Sequence, residues 1–332
     1  MCCLFGLIDT THQMPVSEKN RIVSILATAS EARGTDATGY ACNSKNKLLI
    51  EKHPIPAHRM KFRLPRDAHI IMGHTRMTTQ GNARRIFNNH PFPGKVGHMQ
   101  FALAHNGVLT NDESLRITHH LPRTRIETDS YVAVQLIEQR NSLDLESIRI
   151  MAEAVKGTFN FTLLDKANRL YIVKGNNPLC LYHFRKEGFY LYASTELILD
   201  EAVTKLGFEK LSREQIVIHD GEILVIDSDG SITRSNFTPP VSNHFSFLYS
   251  SYEPEDEGAD EYRRYLMDFA ATQGVPRKEL EWLHACGFPD TELEECVFSS
   301  TYRNFCLMDS GYYDETEDED HEFDDFESLL WG

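Results

Sequence analysis

The stretch Met1-Cys2-Cys3-Leu4-Phe5-Gly6 opens the chain and decides how the rest of the sequence is interpreted. If Met1 is removed, Cys2 becomes the N-terminal residue and carries both a thiol and a free α-amine. A free thiol titrates at about pH 8.5 and an α-amine at about pH 7.7–8.0, so part of the amine can accept a proton at neutral pH. Cys2 would then bring its own base, as an N-terminal Thr nucleophile does. The alternative, which the hexapeptide alone favours, is an ordinary apolar first strand with two buried thiols, because Cys is among the most buried residue types.

Composition places the chain among soluble globular proteins. It has 332 residues, 41% of them hydrophobic and 25% charged, which is ordinary for this class and long enough for about two domains. Seven cysteines are an odd number, and their spacing does not suggest a disulfide framework. With no signal peptide or membrane span predicted, we expect a protein of the reducing cytoplasm with no membrane association.

The net charge of −15 is concentrated near the C-terminus. Ten acidic residues lie there with no Lys or Arg among them: Asp314, Glu315, Glu317, Asp318, Glu319, Asp320, Glu322, Asp324, Asp325 and Glu327. Without these ten charges the rest of the chain carries −5. That balance argues against nucleic-acid binding, which needs a basic surface.

Strand-like and helical segments occur in blocks rather than in strict alternation. Periodicity predicts a helix from Ser17 to near Arg33-Gly34, a second that Thr128 would cap, and further helices over 143–155 and 196–206. Strands are predicted over 38–43, 47–52, 69–74, 101–105, 159–164, 169–174, 180–184, 189–193 and 222–226. This segregation favours an α+β architecture over a doubly wound one.

The sheet-forming pattern stops at Phe237, and Pro239-Pro240 cannot continue a strand ladder. Beyond it we predict weak helices: one carrying Tyr262, Leu266, Phe269 and Ala270, one over 278–286, and one capped by Asp290. The acidic run after Gly311 is too charged to fold alone. The predicted division is therefore a main domain over 2–238, a helical extension over 239–311 and an acidic tail over 312–332.

Two segments suggest a site that holds charged groups. The loop 33–39 has two glycines and the charges of Arg33 and Asp36. It either shapes a site or, more simply, is a surface turn with a solvated ion pair. In 73–81, Arg76 follows a buried strand, where its planar fork suits a carboxylate, and Thr79 adds a hydroxyl. The alternative for Arg76 is a side chain that extends from a strand end into solvent.

Two further segments offer hydrogen-bond donors and a carboxylate. His105-Asn106-Gly107 places a side-chain amide beside a backbone N–H, the two donor types of an oxyanion hole, although most Asn-Gly pairs are plain turns. Asp129, in the first turn of a predicted helix, would pair with an ammonium or only favour the helix dipole. Together these groups require a substrate with a carboxylate, an ammonium and a side-chain amide, which describes glutamine.

The order of these motifs, with His90-Pro91 between the second and third, resembles the class II glutamine amidotransferase domain, an N-terminal-nucleophile hydrolase. The resemblance covers about residues 2–235, and the Arg76-x-x-Thr79 spacing is similar to the glucosamine-6-phosphate synthase branch. It implies a four-layer αββα sandwich with Cys2 at the end of a central strand. It also implies no cofactor and no metal ion.

The resemblance also implies a role for each residue of the set. Cys2 is the nucleophile, and Asn106 and Gly107 are the oxyanion donors. The residues implied to hold glutamine are Arg76, Thr79 and Asp129. The residues implied to shape the site are Arg33, Asp36, His74 and His105.

The chain departs from the family pattern in three places. Cys3 stands where the family has Gly, and Met77 and Gln80 stand where many members have Trp and His. The residues after about 238 are too few for a synthase domain of the usual size.

Two functions follow as hypotheses. The first is a glutaminase subunit that releases ammonia for an acceptor synthase acting in trans. The second is a non-catalytic glutamine-binding or scaffold protein whose C-terminal region binds a partner. Retention of Cys2, Arg76, Asn106, Gly107 and Asp129 favours the enzyme.

Overall fold

The computed structural model describes residues 2–238 and, beyond them, positions 263, 266–267, 270–271, 275–288, 293, 296–297 and 300–312. The chain divides into two compact units, Met1–Phe245 and Ser246–Gly332. The boundaries predicted at 238 and 311 remain predictions. Pro239-Pro240, Tyr262, Phe269, Asp290 and the acidic run 314–327 lie outside the described residues. Within the described part of the chain, no helix combines the length and apolar character needed to cross a membrane.

The first unit contains two antiparallel sheets. The strands are β1 Cys3–Asp9, β2 Ala37–Ser44, β3 Lys47–His53, β4 Ile70–Arg76, β5 Phe92–Val96, β6 Met99–Leu109, β7 Gly157–Asp165, β8 Arg169–Lys174, β9 Cys180–Phe184, β10 Phe189–Ala193, β11 Glu214–Gln215, β12 Glu222–Asp227 and β13 Ile232–Asn236. One sheet has the order β11-β9-β10-β1-β4-β2-β3 and the other β13-β12-β8-β7-β6-β5. The strand that starts beside Cys2 therefore lies in the middle of its sheet.

Helices cover the outer face of each sheet. They are α1 Val16–Ala29, α2 Asp112–Thr118, α3 Tyr131–Arg140, α4 Leu145–Ala154 and α5 Glu196–Leu206, with short 3-10 turns at Ser30–Arg33, Ala57–Arg59 and Ile86–Asn88. One apolar cluster joins α1 and α5 to the first sheet, and another joins α3 and α4 to the second. A third lies between the sheets. These layers confirm the predicted α+β, four-layer αββα sandwich.

Strand β1 shows how the sequence builds two of these clusters. Leu4 and Ile8 enter the cluster between the sheets, whereas Phe5 and Leu7 pack toward the helices, as the two-residue period of a strand requires. Because both faces are covered, every residue of β1 is buried. A Cβ atom on Gly6 would lie 2.4 Å from both the Ile71 carbonyl oxygen and the Tyr192 ring. Gly6 thus permits close packing against the neighbouring strands β4 and β10.

The structure corrects three details of the sequence prediction. Helix α1 begins at Val16 after Pro15, so Ser17 is not its cap. Helix α3 begins at Tyr131, so Thr128 does not cap it. No pattern in the sequence predicted α2, β5, β11 or β13. The helices predicted over 143–155 and 196–206 are confirmed as α4 and α5, each with a side-chain cap, from Asp144 and Thr195.

The second unit contains two helices described in full, α6 Arg277–Ala285 and α7 Ser300–Asp309. Leu280, Leu283 and Leu307 are buried together in its apolar cluster, with Trp282 packed against them. Helix α6 confirms the prediction over 278–286. Positions 266, 270, 293 and 297 of the two other predicted helices are helical and buried.

Candidate active site

Cys2 lies immediately before β1, whose first residue Cys3 is paired with Thr75 of β4. The Cys2 side chain is half-buried, and its Sγ–H donates to the backbone oxygen of Met77 at 3.4 Å. Burial raises the pKa of the Cys2 thiol. The charge of the N-terminus, the hydrogen bond to Met77 and the charge of Arg76 oppose this increase only partly. The thiol is therefore protonated at neutral pH and needs a base before it can attack.

The loop 33–39 packs directly under the nucleophile. Arg33 donates from Nε to the backbone oxygen of Cys2 at 3.3 Å. A Cβ atom on Gly34 would lie 2.4 Å from the carbonyl carbon of Arg76, so only glycine permits this approach. Asp36 donates from its N–H to the Arg76 oxygen at 2.9 Å and accepts the Thr78 N–H at 2.8 Å. Arg33 thus holds the backbone of Cys2, and Asp36 fixes the segment that carries Arg76.

Arg76 is the last residue of β4 and is 3% exposed, so it does not extend into solvent as the simpler alternative required. Its Nη1 donates to Asn89 Oδ1 at 2.6 Å and its Nη2 to the Gln80 backbone oxygen at 2.5 Å. Burial lowers the pKa of Arg76, although not enough to remove a charge with so high a normal pKa. The structure therefore holds a buried, oriented guanidinium beside the Cys2 segment.

Thr79 is the predicted site residue that the structure does not bring to the others. Its side chain is exposed. A cavity of about 520 Å³ opens beside this segment, lined by Asp36, Pro54, Thr78, Gly81, Asn82, Ala83 and Arg84. Thr78, not Thr79, contributes to its wall.

Asn106 and Gly107 do not form the turn that the dipeptide suggests. They lie within β6, where Asn106 is paired with Asn160 and Gly107 with Phe159. Gly107 has a φ of 140°, and a Cβ atom there would lie 1.9 Å from the Thr158 oxygen. Pairing with β7, the neighbouring strand of the same sheet, overrides the local turn preference, and glycine permits the distorted backbone.

Side chains add hydrogen bonds where β6 ends. Val108 donates its N–H to Thr158 Oγ1 at 3.1 Å, and Leu109 donates to Asp129 Oδ2 at 2.6 Å. The Phe159 N–H donates to Asn176 Oδ1 at 3.0 Å. The pairing of β6 with β7 continues past Gly107 as far as Leu109, which lies opposite Gly157.

Asp129 precedes α3 rather than lying in its first turn. Its carboxylate accepts the Leu109 N–H through Oδ2 and the Ser130 hydroxyl through Oδ1, the latter at 3.1 Å. Its own N–H donates to Gln80 Oε1 at 2.8 Å. Asp129 thus joins the end of β6, through its carboxylate, to the segment that carries Arg76, through its backbone N–H.

His74, His90 and His105 form a buried group behind the nucleophile. His74 Nε2 lies 3.0 Å from the His105 backbone oxygen, and His105 Nδ1 lies 2.8 Å from Ser130 Oγ. The His90 ring packs against His74 at 4.3 Å between centroids, with the two ring planes tilted by 40°, and the His90 nitrogens have no hydrogen-bond partner among the described residues. Burial lowers the pKa of His74 to about 3 and also lowers the pKa of His90 and of His105. All three are therefore neutral at physiological pH.

Sequence reasoning missed three polar side chains that hold this site. Asn89 accepts from Arg76, and Asn177 Nδ2 donates to the Asn106 backbone oxygen at 2.8 Å. Ser194 Oγ lies 3.1 Å from Asn106 Nδ2 and accepts the Leu4 N–H at 2.8 Å. All three are buried, and their partners are distant in sequence. Among these residues only Asn177 has a local signal, because Gly175-Asn176-Asn177 has the composition of a turn.

Comparison with known proteins gives a consistent family. No family model matches the chain. It is 29% identical over 217 residues to a glutamine–fructose-6-phosphate aminotransferase (isomerizing) of Bacillus spizizenii, covering 62% of this chain and 35% of that protein. A protein of the same name from Staphylococcus aureus is 30% identical over 258 residues, covering 74% and 42%. The chain contains a class II glutamine amidotransferase domain.

The fold of this amidotransferase domain has solved counterparts. The glutamine phosphoribosylpyrophosphate amidotransferase of B. subtilis, complexed with ADP and GMP, superposes with a TM-score of 0.58 at 19% identity, over 82% of this chain and 58% of that chain. The likeness is one of fold. The chain spans about two fifths or less of the length of the aminotransferases it matches.

Proposed function

We propose that the amidotransferase domain hydrolyses L-glutamine to L-glutamate and ammonia, with Cys2 as the nucleophile. The observation that carries this proposal is that the single segment 76–80 contains or contacts the proposed nucleophile, cation and anion. Its Met77 oxygen accepts from the Cys2 thiol, its Gln80 side chain accepts from Asp129, and its first residue is the buried Arg76. One short segment thus links a nucleophile, a cation and an anion, which is the set that an amino-acid amide requires.

The first half-reaction forms a thioester. After Met1 is removed, the Cys2 α-amine accepts the proton of the thiol, which the raised pKa otherwise keeps in place. The thiolate attacks the glutamine side-chain carbonyl carbon, and the negative oxygen receives hydrogen bonds from Asn106 Nδ2 and the Gly107 N–H. The carbon–nitrogen bond then breaks, the α-ammonium returns its proton to the leaving nitrogen, and ammonia departs. The product on the enzyme is a γ-glutamyl thioester of Cys2.

The second half-reaction releases glutamate. The α-amine takes a proton from a water molecule as the water oxygen attacks the thioester carbon. The same donors stabilise the new oxyanion. The carbon–sulfur bond breaks, and the thiolate recovers its proton from the α-ammonium. Glutamate leaves and the free Cys2 thiol is restored.

Substrate recognition is proposed for Arg76, Asp129 and Thr79. The guanidinium of Arg76 has five N–H donors, and its bonds to Asn89 and Gln80 use two of them. The remaining donors suit the α-carboxylate of glutamine. Each oxygen of the Asp129 carboxylate accepts one hydrogen bond and has capacity for a second, from the α-ammonium. The exposed hydroxyl of Thr79 would approach only as the segment closes over bound glutamine.

The proposed fate of ammonia rests on the names of the proteins to which the chain is similar. The relatives are aminotransferases that act on glutamine and fructose 6-phosphate. We propose that this domain delivers ammonia to an acceptor synthase in trans, in the reducing cytoplasm. Cys2, Cys3, Cys42 and Cys180 of the first unit form no disulfide, which supports a reducing compartment.

The test measures ammonia and glutamate released from glutamine by the purified full chain, after intact-mass analysis has confirmed that it begins at Cys2. We expect equimolar products. Cys2→Ala should abolish turnover while calorimetry still detects glutamine, because Arg76 and Asp129 remain. Cys3→Ala is the matched control and should retain turnover, since the Cys3 thiol donates to the Leu4 oxygen within the core. Glutamine binding without product from the wild-type chain would replace this proposal with the glutamine-binding scaffold.

A further inference from the structure

The hydroxyl of Ser194 joins the strand that follows the nucleophile to the strand that carries Asn106. Ser194 comes directly after β10 and is fully buried. Its Oγ accepts the Leu4 N–H at 2.8 Å and lies 3.1 Å from Asn106 Nδ2. Leu4 is two residues from Cys2 along β1. Ser194 is therefore the side chain that ties the position of the Asn106 amide to the position of the nucleophile strand.

With Asn106 Nδ2 as the donor, the contact between Ser194 and Asn106 leaves hydrogen-bonding groups unused. A serine hydroxyl has one donor and two acceptor lone pairs. If Asn106 donates from Nδ2, Ser194 Oγ accepts two bonds, and Asn106 Oδ1 stays buried without a partner among the described residues. A buried acceptor without a donor is unfavourable.

Rotation of the Asn106 amide by half a turn gives the Ser194 hydroxyl an acceptor and replaces the unpaired amide oxygen with unpaired N–H donors. Its oxygen and nitrogen occupy nearly equivalent places, so the rotation leaves the contact with Ser194 intact and reverses its direction. Ser194 then donates its O–H to Asn106 Oδ1 while still accepting from Leu4. The Nδ2 group takes the place of the orphaned oxygen and presents N–H donors that have no acceptor until a negative oxygen forms.

We infer that Ser194 is a positioning residue that sets the direction of the Asn106 amide, so that its N–H donors meet the oxyanion of the reaction. This inference rests on the proposed glutaminase activity. Asn177 holds the backbone oxygen of Asn106 at 2.8 Å, so both the main chain and the side chain of Asn106 are fixed before substrate binds. Such preorganised donors stabilise the transition state more than the bound substrate.

The expected signature is a loss in kcat with little change in KM. Loss of a complete oxyanion donor typically lowers kcat by about 100–1000-fold. Ser194→Ala leaves the Asn106 amide present but free to rotate, so we expect a decrease of about 10–100-fold in kcat, less than a full deletion. KM for glutamine should change by no more than about twofold, because the α-carboxylate and α-ammonium are held elsewhere.

The experiment compares the wild-type full chain with Ser194→Ala, Asn106→Ala and the double variant. If Ser194 acts through Asn106, the double variant should have the kcat of Asn106→Ala alone. Ser194→Cys, which keeps a weak donor of similar size, should recover part of the lost kcat. Ser147→Ala removes another buried serine side chain, in α4, and should leave kcat unchanged. Thermal unfolding confirms that each variant is folded.

The outcomes separate this inference from the proposed function. A wild-type chain beginning at Cys2 that does not hydrolyse glutamine overturns both. An active wild type with normal kcat in Ser194→Ala overturns only the inference. So does a double variant whose losses multiply, because Ser194 would then act independently of Asn106. If Ser194→Ala does not fold, the Ser194→Cys variant decides the question. A normal kcat would reject the inference, because a weak donor has replaced a strong one. An intermediate kcat would support the inference.

Discussion

The side-chain oxygen of Gln80 accepts a hydrogen bond from the backbone N–H of Asp129 at 2.8 Å. The backbone oxygen of the same glutamine accepts a bond from Arg76. Gln80 therefore connects Arg76, the proposed carboxylate-binding residue, to Asp129, the proposed ammonium-binding residue. Many members of the family have histidine at this position, and here an amide makes the connection.

We predict that Gln80→Ala raises KM for glutamine by about tenfold. The substitution removes a hydrogen bond worth about 1 kcal/mol and makes the segment 76–80 less ordered. The kcat should change little, because the nucleophile and the oxyanion donors are untouched. Steady-state kinetics check this. Gln139→Ala is the matched control: Gln139 also makes one side-chain bond to the backbone, to the His119 oxygen at 2.8 Å, but on the far end of α3. Equal KM values for Gln80→Ala and wild type would show that Gln80 does not order the binding groups.

Replacement of Arg76 by lysine should raise KM by about 10–100-fold, because an ammonium cannot bond Asn89, the Gln80 oxygen and a carboxylate in one plane. Loss of one bond to a charged group costs roughly 1.5–3 kcal/mol. Arg149→Lys, at an ion pair on the surface of α4, is the control and should leave KM unchanged. If Arg76→Lys binds glutamine normally in calorimetry, the carboxylate site lies elsewhere.

Gly107→Ala should both destabilise the domain and reduce kcat. The new Cβ would lie 1.9 Å from the Thr158 oxygen, so β6 must move away from β7 and displace the Gly107 N–H. Gly97→Ala is the control that introduces backbone strain without a steric clash, because Gly97 has a φ of 56° but open space around its Cβ position. We expect a lower midpoint of chemical unfolding for both variants and a loss of kcat only for Gly107→Ala. Normal kcat in a folded Gly107→Ala protein would remove Gly107 from the oxyanion site.

Much of this site was predictable because its chemistry is local in sequence. Cys2 at the first strand, Arg76 at the end of β4 and the paired charges of 33–39 each follow from short motifs, and their order implied the sandwich. The sandwich places these segments together because β1 is central in its sheet and pairs with β4.

The remaining details depended on contacts between distant residues. Asn106-Gly107 has the composition of a turn, but pairing with β7 holds it in a strand. Asp129 accepts from Leu109 rather than stabilising a helix start. Ser194 acts between Leu4 and Asn106, far away along the chain, so no local pattern could identify it.

The buried histidines predict a loss of stability in acid. The pKa of His74 is about 3 in the folded state, against about 6.5 in an unfolded chain. Between these values the unfolded state binds more protons, so the free energy of unfolding falls as pH decreases from about 6.5 toward 3, by at most about 1.4 kcal/mol per pH unit for this group. His90 and His105 act in the same direction.

Urea unfolding at several pH values tests this dependence. His74→Gln keeps an N–H donor for the His105 oxygen but cannot titrate, so its stability should fall less steeply between pH 6.5 and 4. His53→Gln, at an exposed histidine, should follow the wild-type curve. Parallel curves for His74→Gln and wild type would mean that His74 is protonated in the folded protein.

The last prediction concerns the end of the catalytic domain. Phe237 is buried in the cluster that joins α3 and α4 to the second sheet, and its N–H donates to the Gly221 oxygen at 2.7 Å. The next residue, Thr238, donates its N–H to Glu153 Oε1 at 3.0 Å. These contacts close the described part of the first unit. A protein shortened after Thr238 should therefore fold and hydrolyse glutamine with kcat and KM close to those of the full chain.

A protein shortened after Asn236 is the matched comparison, because it differs only by Phe237 and Thr238. Removing a buried Phe side chain typically costs about 3–5 kcal/mol, so this shorter protein should unfold at clearly lower urea concentration. Circular dichroism and ammonia release measure both properties. If the protein ending at Thr238 is folded but inactive, residues beyond 238 contribute to catalysis and the predicted domain boundary is wrong. If both shortened proteins are equally stable, Phe237 does not close the core.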